Sequence, residues 1–538
     1  MSNNTVSEGM VVSDVKTETS PLRASPSKKY FWYNCSPCCS EDHSNSLKTI
    51  VIVLFGTTGI ITLALLTQVY YGEYQVQKSG TVASDSYECS NIGIDVLKAG
   101  GNAVDAGIAT TFCLGVVNFH VTGIGGGGYF MLYNHKKHKV IDVIDFREVT
   151  PAAYNVESNE DLVDGLVVGV PGFVKGLWDA HEKYGKLPWK DLVTPASNLA
   201  RNGFSISKSL ISVISYIKPS PYNSNLVLLL NSLRQGKNVS LHELAATLDI
   251  IALKGADAFY NGSIAMDMVY TVKLANGSMS LQDVAQYDTS NGDVLRTQIG
   301  DYDVIVPGSS SGGALLLNYM DAIEMLDLKP DVDTSAEIVL KLSDTLHDAY
   351  LLFLQKVNGF VEQPEPVGSQ VSVVDSEDNY VTITSGLNTW LGSQIMTSYG
   401  FILNNAVSNG GLNEERRPVS MASPIIVLQN SEFCGKRYIL GSGDVAMAAQ
   451  LLTNLLIFNR NVSSSIESPR FNIDNIPRHL RLEDHDPEFS VDAIVPLRQL
   501  MKIEKVLPPY KSINVIEKLI DSIKSYSDSR GGGRPAQF

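Results

Sequence analysis

Residues 364 to 388 read PEPVGSQVSVVDSEDNYVTITSGLN, and this stretch decides the fold. From Val371 onward apolar and polar residues alternate on both sides of an acidic turn, the pattern of a β-hairpin with one face turned inward. Moving outward, YFMLYNHKKHKVIDVIDF (129 to 146) predicts two more strands around a polar turn. CSNIGIDVLKAGGNAVDAGIATTFCLGVV (89 to 117) has helical spacing interrupted by a Gly-Gly-Asn turn. Further helices are expected around Gly172 to Tyr184, Trp189 to Asn202 and Gly313 to Leu326. No internal repeat is visible.

The 538 residues are 44% hydrophobic and 18% charged, a globular composition able to bury a large core. A formal net charge of -15, with no basic cluster, argues against a nucleic-acid partner. Residues 1 to 48 are rich in Ser, Asn, Lys and Pro and lack apolar periodicity, so a disordered cytoplasmic tail is expected. Residues 49 to 71 (TIVIVLFGTTGIITLALLTQVYY) are uncharged and largely apolar, long enough as a helix to cross a hydrocarbon core of roughly 30 Å. The run lies too far from the N-terminus, and ends in the wrong residues, for a cleaved signal peptide, so it predicts an uncleaved anchor. Lys28, Lys29 and Lys48 precede it and only Lys78 follows closely, which puts the N-terminus in the cytoplasm. The expected molecule is a type II membrane protein whose body is extracellular or in the secretory lumen.

Four sequons, at Asn238, Asn261, Asn276 and Asn461, lie beyond the span. Cys89 and Cys113 flank a helix-like stretch on the oxidising side and are able to pair, while Cys434 has no obvious partner. Cys35, Cys38 and Cys39 precede the span, where they are either acylated or plain thiols of the disordered arm. A zinc site there would have only His43 to draw on, and no metal is expected.

Common site motifs are missing. GIGGGG (123 to 128) satisfies the dinucleotide pattern, but a helix-like segment precedes it and a strand follows, so a tight glycine turn packed on other backbone is the better reading. There is no GK[ST] or HExxH, and EDHDPE (483 to 488) reads as a solvated acidic loop. No cofactor is expected.

More specific are blocks in a fixed order. Cys89 to Gly128 is followed by IDFREVTP (144 to 151), GVPGFVKGLWDAHEKYGKLPW (169 to 189) and TPASNLARNGFSI (194 to 206), then SGLNTWLGS, FILNN, RPVSMASP and the tail SDSRGGGRPAQF. Together they resemble the γ-glutamyltransferases, or glutathione hydrolases, across essentially the whole ectodomain. The likeness is to the glutathione hydrolase 7 type in particular, which also has a cytoplasmic arm and a span resembling ITLALLTQVYYG, and it extends to IDFRE and NRNVSSSI (459 to 466).

The resemblance implies an α+β, N-terminal-nucleophile hydrolase fold, a four-layer αββα sandwich preceded by one transmembrane helix. Residues 72 to 367 would correspond to the large subunit and 368 to 538 to the small subunit of one ectodomain. Cys89 and Cys113 match the pair that is bridged in the family. In active members the precursor cuts itself before a threonine, whose amino group and hydroxyl then cleave or transfer the γ-glutamyl group of glutathione. An alcohol is a weak nucleophile near neutrality, so an adjacent base and an oxyanion hole must both be present.

Carried onto this chain residue by residue, the family's T-x-H-x-[SC]-V motif falls on Gly368-Ser369-Gln370-Val371-Ser372-Val373. The nucleophile position is Gly368, which can neither attack nor start an acyl shift, and the segment between Tyr350 and Gly368 is shortened. Arg147 matches the arginine that holds the substrate carboxylate, the alternative being a structural ion pair in a loop. Asn388 and Ser420 match further glutamate contacts, but the second serine is Met421. The two acids that hold the α-ammonium fall at Ala406 and, with one residue of slack, Asn409. The oxyanion Gly-Gly pair is Asp444-Val445. Losing two anionic partners at roughly 1.5 to 3 kcal/mol each should cost much of the affinity for a zwitterionic glutamyl group. The expectation is a family member with weak or no catalysis, kept for binding or assembly, with a γ-glutamyl or amino-acid ligand and the membrane as its partners. The alternative is a working glutathione hydrolase that uses a shifted nucleophile, Ser369.

Overall fold

The computed structural model describes residues 42–71, 80–154, 164–218, 220–308, 310–329, 335–357, 366–410, 416–430, 434–473 and 479–538. The arm with Cys35, Cys38 and Cys39, and the segment just before Gly368, lie in part or whole outside them. The chain divides into two compact units, residues 1–76 and 77–538. In the first, one helix, α1 (Asp42–Tyr71), contains a stretch, Ser46–Gln68, long and apolar enough to cross a membrane. The helix begins at Asp42, so its N-terminal turns reach into the segment expected to be tail.

The second unit is built on two antiparallel sheets. The strands of these two sheets, in chain order, are β1 (Thr81–Ser84), β2 (Gly127–Asn134), β3 (Lys139–Asp145), β4 (Ser290–Asn291), β5 (Val294–Ile299), β6 (Tyr302–Pro307), β7 (Val367–Val374), β8 (Asn379–Asn388), β9 (Ser423–Gln429), β10 (Arg437–Ser442), β11 (Asn514–Leu519), β12 (Ser522–Ser527) and β13 (Ala536–Gln537). The first sheet runs β13-β1-β7-β8-β2-β3-β4 and the second β12-β11-β10-β9-β6-β5. Each sheet mixes strands from before and after Gly368. The hairpin expected from the opening stretch is β7–β8, with Ile383 opposite Val371 and Val381 opposite Val373.

Three buried apolar clusters separate four layers. Between the sheets, Ala83, Met131, Tyr133, Val374 and Tyr380 meet Ile305, Ile426, Ile439 and Ile516. Outside the first sheet lie α2 (Tyr87–Lys98), α3 (Ala103–Val117), α4 (Phe173–Tyr184) and α5 (Trp189–Asn202), whose Ile94, Phe112, Phe173 and Leu192 share a core with Phe130 and Val371. Outside the second lie α6 (Gly312–Glu324), α7 (Ala336–Lys356) and α8 (Val445–Leu452), packing Leu316, Leu346 and Met447 on Val304 and Leu440. At roughly 1.5–3 kcal/mol per buried large apolar side chain, these layers hold the sandwich together.

Local sequence explains the central helix. The α3 helix is apolar all round and wholly buried, as such a helix must be. Asn102 and Asp105 close a capping box at its start, Asn102 accepting from the Val104 and Asp105 amides at 3.0 Å each. A disulfide joins Cys89 of α2 to Cys113 of α3, with Cα atoms 5.4 Å apart. Cys434 is a free, exposed thiol. The glycine run behaves as a packed turn. A Cβ on Gly125, Gly126 or Gly128 would sit 2.0, 2.1 or 2.0 Å from the carbonyl oxygens of Ile402, Gly386 and Thr384. The acidic loop is partly tied down, since Lys505 pairs with Asp484 at 2.6 Å and with Glu488 at 3.1 Å.

Candidate functional site

Two clefts open on either side of the head of β7, with Val367 and Gly443 in the wall of both. The first, about 420 Å³ counted to its mouth, brings together Arg147, Asn388, Ala406, Asn409, Ser420 and Met421, all singled out in the sequence. The second, about 450 Å³, is lined by Gly368, Ser369, Asp444, Asp85, His120 and Lys511. Neither Gly368 nor Ser369 is in the wall of the first cleft.

Arg147 follows β3 and is 3% exposed. Its Nε donates to both Asp145 oxygens at 3.0 and 3.1 Å, Nη2 to Asp145 Oδ2 at 2.7 Å, and Nη1 to the carbonyls of Pro418 at 2.5 Å and Ser310 at 3.3 Å. The Tyr129 ring lies below it, 5.2 Å from the guanidinium. Arg147 therefore lines the cleft and is also ion-paired. Burial pushes the Asp145 carboxyl up, and the Arg147 charge, the hydrogen bonds from Arg147 and the Arg417 charge together outweigh burial and hold it below the ordinary range. Next along the chain, Glu148 also lines the cleft, and burial pushes its carboxyl up to about 7 against the pull of Arg147.

The remaining polar groups of this cleft bond to one another. Asn388 sits at a bulge with φ +80°, a left-handed conformation that Asn tolerates. It exchanges amide hydrogen bonds with Asn409: Asn388 Nδ2 to Asn409 Oδ1 at 3.0 Å, and Asn409 Nδ2 to Asn388 Oδ1 at 2.8 Å. Asn409 donates also to the Val419 carbonyl at 2.7 Å. Ser420 Oγ accepts from the Ala422 amide at 3.2 Å. Ala406 and Met421 are buried and present no charge.

At the second cleft, a Cβ built on Gly368 would lie 3.0 Å from Gly443 Cα and 3.1 Å from the Ser385 carbonyl oxygen. One built on Gly443 would lie 2.0 Å from the Gly368 nitrogen. The two backbones touch because both residues are glycine. The amides at the two positions matching the oxyanion pair are engaged within the chain: Asp444 N donates to Ser442 Oγ at 3.1 Å and Val445 N to the Met421 carbonyl at 3.1 Å. The Asp444 carboxylate caps α8 through the Ala446 amide at 2.9 Å and pairs with Lys511 at 2.5 Å.

Ser369 Oγ is buried and finds no partner of hydrogen-bond geometry, yet it stands close enough to Asp85 to favour that carboxylate's ionised form. Asp85 is held by the Gln370 amide at 3.0 Å, Ser512 Oγ at 2.8 Å and Asn514 Nδ2 at 2.6 Å, and burial still raises its pKa. His120 stacks on Trp390 and bonds Ser209 Oγ at 3.2 Å, while burial lowers its pKa to about 3, so the imidazole is neutral. Sequence reasoning passed over Asp85, His120, Glu148 and Lys511. Glu148 carried a signal, the charges of IDFRE in an apolar run, whereas Lys511 lies 67 residues from Asp444 and carried none.

The family model described as Gamma-glutamyltranspeptidase matches residues 89–353 and 352–538. The chain is 28% identical over 541 residues to glutathione hydrolase 7 of Rattus norvegicus, covering 88% of this chain and 81% of the relative. It is 30% identical over 500 residues to the glutathione hydrolase proenzyme of Bacillus subtilis, covering 78% and 84%. Among solved structures, cephalosporin acylase from Bacillus halodurans superposes with a TM-score of 0.72 at 19% identity, over 85% of this chain and 96% of that one. That likeness carries the fold, an N-terminal-nucleophile hydrolase sandwich. By sequence and architecture together, the chain belongs to the γ-glutamyltranspeptidase family.

Proposed function

We propose that this chain is a type II membrane member of the family with weak or no catalysis, its body on the extracellular or lumenal side and its first cleft kept for binding or assembly. The observation that carries the reading is the state of the two amides at Asp444 and Val445, both bonded inside the chain where an oxyanion hole needs free donors. Gly368 adds to it, since it supplies no hydroxyl and packs on Gly443. Arg147, Asn388 and Ser420 remain the groups for a γ-glutamyl or amino-acid ligand, which would have to displace their internal bonds and would find no acid at Ala406 or Asn409. The lysine asymmetry around the apolar helix, the four sequons and the Cys89–Cys113 disulfide support the lumenal orientation.

A second reading, an active glutathione hydrolase, is favoured by one observation: Ser369 Oγ lies beside the buried Asp85 carboxyl, a hydroxyl next to a possible base. The detergent-purified full chain, assayed with glutathione and a γ-glutamyl chromogenic amide, separates the two. No turnover above background is expected. Turnover that disappears in Ser369→Ala would overturn the proposal.

A further inference from the structure

The helix Ser263–Leu274 has apolar residues on two faces. Ile264, Ala265, Met268, Val269 and Val272 are buried against the body. Met266, Tyr270 and Leu274, at i, i+4 and i+8, form a second stripe and are 55%, 62% and 55% exposed. A row of large apolar side chains facing water calls for a cover or a partner.

The sequence at the two ends of the helix says which. Asn261-Gly262-Ser263 runs into its first residue, and Asn276-Gly277-Ser278 begins two residues after its last. Both asparagines are exposed. Asn276 has φ +62° and its Nδ2, the atom a glycan would modify, donates to Tyr222 Oη at 3.1 Å, a bond that survives loss of one amide hydrogen. At 1.5 Å per residue the helix is about 18 Å long, so Tyr270 lies within roughly 10 Å, along the axis, of the nearer end. Two branched oligosaccharides there would cover the stripe from both sides and would bar a protein partner from lying along it.

We propose that N-linked glycans on Asn261 and Asn276 cover the Met266, Tyr270 and Leu274 stripe and keep this face from associating. The proposal rests on the lumenal orientation above. It is tested on the full chain made through the secretory pathway and purified in detergent, by glycopeptide mapping and by the rate at which peroxide oxidises Met266. Enzymatic removal of glycans from the folded protein should speed Met266 oxidation at least threefold. Met325, 84% exposed and far in sequence from any sequon, should oxidise at the same rate before and after. The stripped protein should also self-associate in sedimentation, and Leu274→Lys should prevent it. The double variant Ser263→Ala, Ser278→Ala should behave like the stripped protein.

Glycans at both sites with an unchanged Met266 rate would overturn the proposal, as would glycans at Asn238 and Asn461 but not at Asn261 and Asn276. A glycosylated dimer that Leu274→Lys dissociates would make a second copy the occupant and overturn it too. A chain without glycans at any of the four sequons would remove both this proposal and the lumenal orientation.

Discussion

At position 368 the absent side chain and the glycine at 443 act together, because the backbone of each fills the space a Cβ on the other would need. Gly368→Thr, which places there the residue that the family resemblance leads one to expect, therefore introduces a Cβ at 3.0 and 3.1 Å from fixed backbone atoms. Overpacking of this kind costs typically 1–3 kcal/mol. The variant should melt at a lower temperature than the wild type and still fail to turn over a γ-glutamyl amide, since the Asp444 and Val445 amides stay engaged. A Gly368→Thr protein that cleaves itself and turns over substrate would refute this account of the site. Glu148 supplies a second residue-scale expectation. Its carboxyl titrates at about 7 in the folded chain against an ordinary 4.5, so folding holds a proton that the unfolded chain releases. The sign follows: its contribution to stability is complete below about pH 4.5 and is lost as the pH rises to about 7. A shift of that size corresponds to roughly 3 kcal/mol. Glu148→Gln should gain stability relative to wild type at pH 8 and not at pH 5 in parallel melting curves, and equal differences at both pH values would count against a buried, protonated carboxyl.

Among the elements, those with local signals were legible. The β7–β8 hairpin followed from period-two alternation, the α2–α3 break from Gly-Gly-Asn, and the Cys89–Cys113 bridge from resemblance to the family. The hydrophobic pattern fixed which face of each strand turns inward, because a one-residue slip would expose it. Contacts that depend on chain closure were not legible. Asn388 pairs with Asn409 across a bulge and a short helical turn, Lys511 reaches Asp444 from 67 residues away, and the Val445 amide finds Met421 only once β9, β10 and α8 have packed. Six residues singled out in the sequence line one cleft, whereas Asp85, His120, Glu148 and Lys511 and the internal saturation of the site were not legible. The disulfide gives the prediction at this scale. It closes a loop of about two dozen residues between α2 and α3, which in the chain-entropy picture is worth on the order of 3 kcal/mol. Replacing both cysteines by Ala should lower the denaturation midpoint accordingly, and a double variant as stable as wild type would show that packing of the wholly buried α3 alone fixes the pair.

For the molecule as a whole, the deciding question is whether the chain stays in one piece. Both sheets draw strands from either side of Gly368, so the two halves would remain associated even if cut, and stability alone does not reveal processing. The local geometry does. β7 begins at Val367, which pairs with Asn388, and its regular pairing resumes at Ser369 opposite Ser385, so the bond before Gly368 lies at the bulge of the hairpin. Self-cleavage there needs a hydroxyl on the residue after the bond and donors for the oxyanion that forms, and Gly368 has no hydroxyl while the Asp444 and Val445 amides are engaged. Cleavage one bond later, before Ser369, would use a hydroxyl beside Asp85 but meet the same occupied amides. The full chain is therefore expected to run on a reducing gel, after deglycosylation, as one species near its formula mass of 58.5 kDa. Terminal sequencing that finds a stoichiometric new N-terminus at Ser369 or Ser372 would instead mean that the amides rearrange in solution and that the nucleophile has moved along β7.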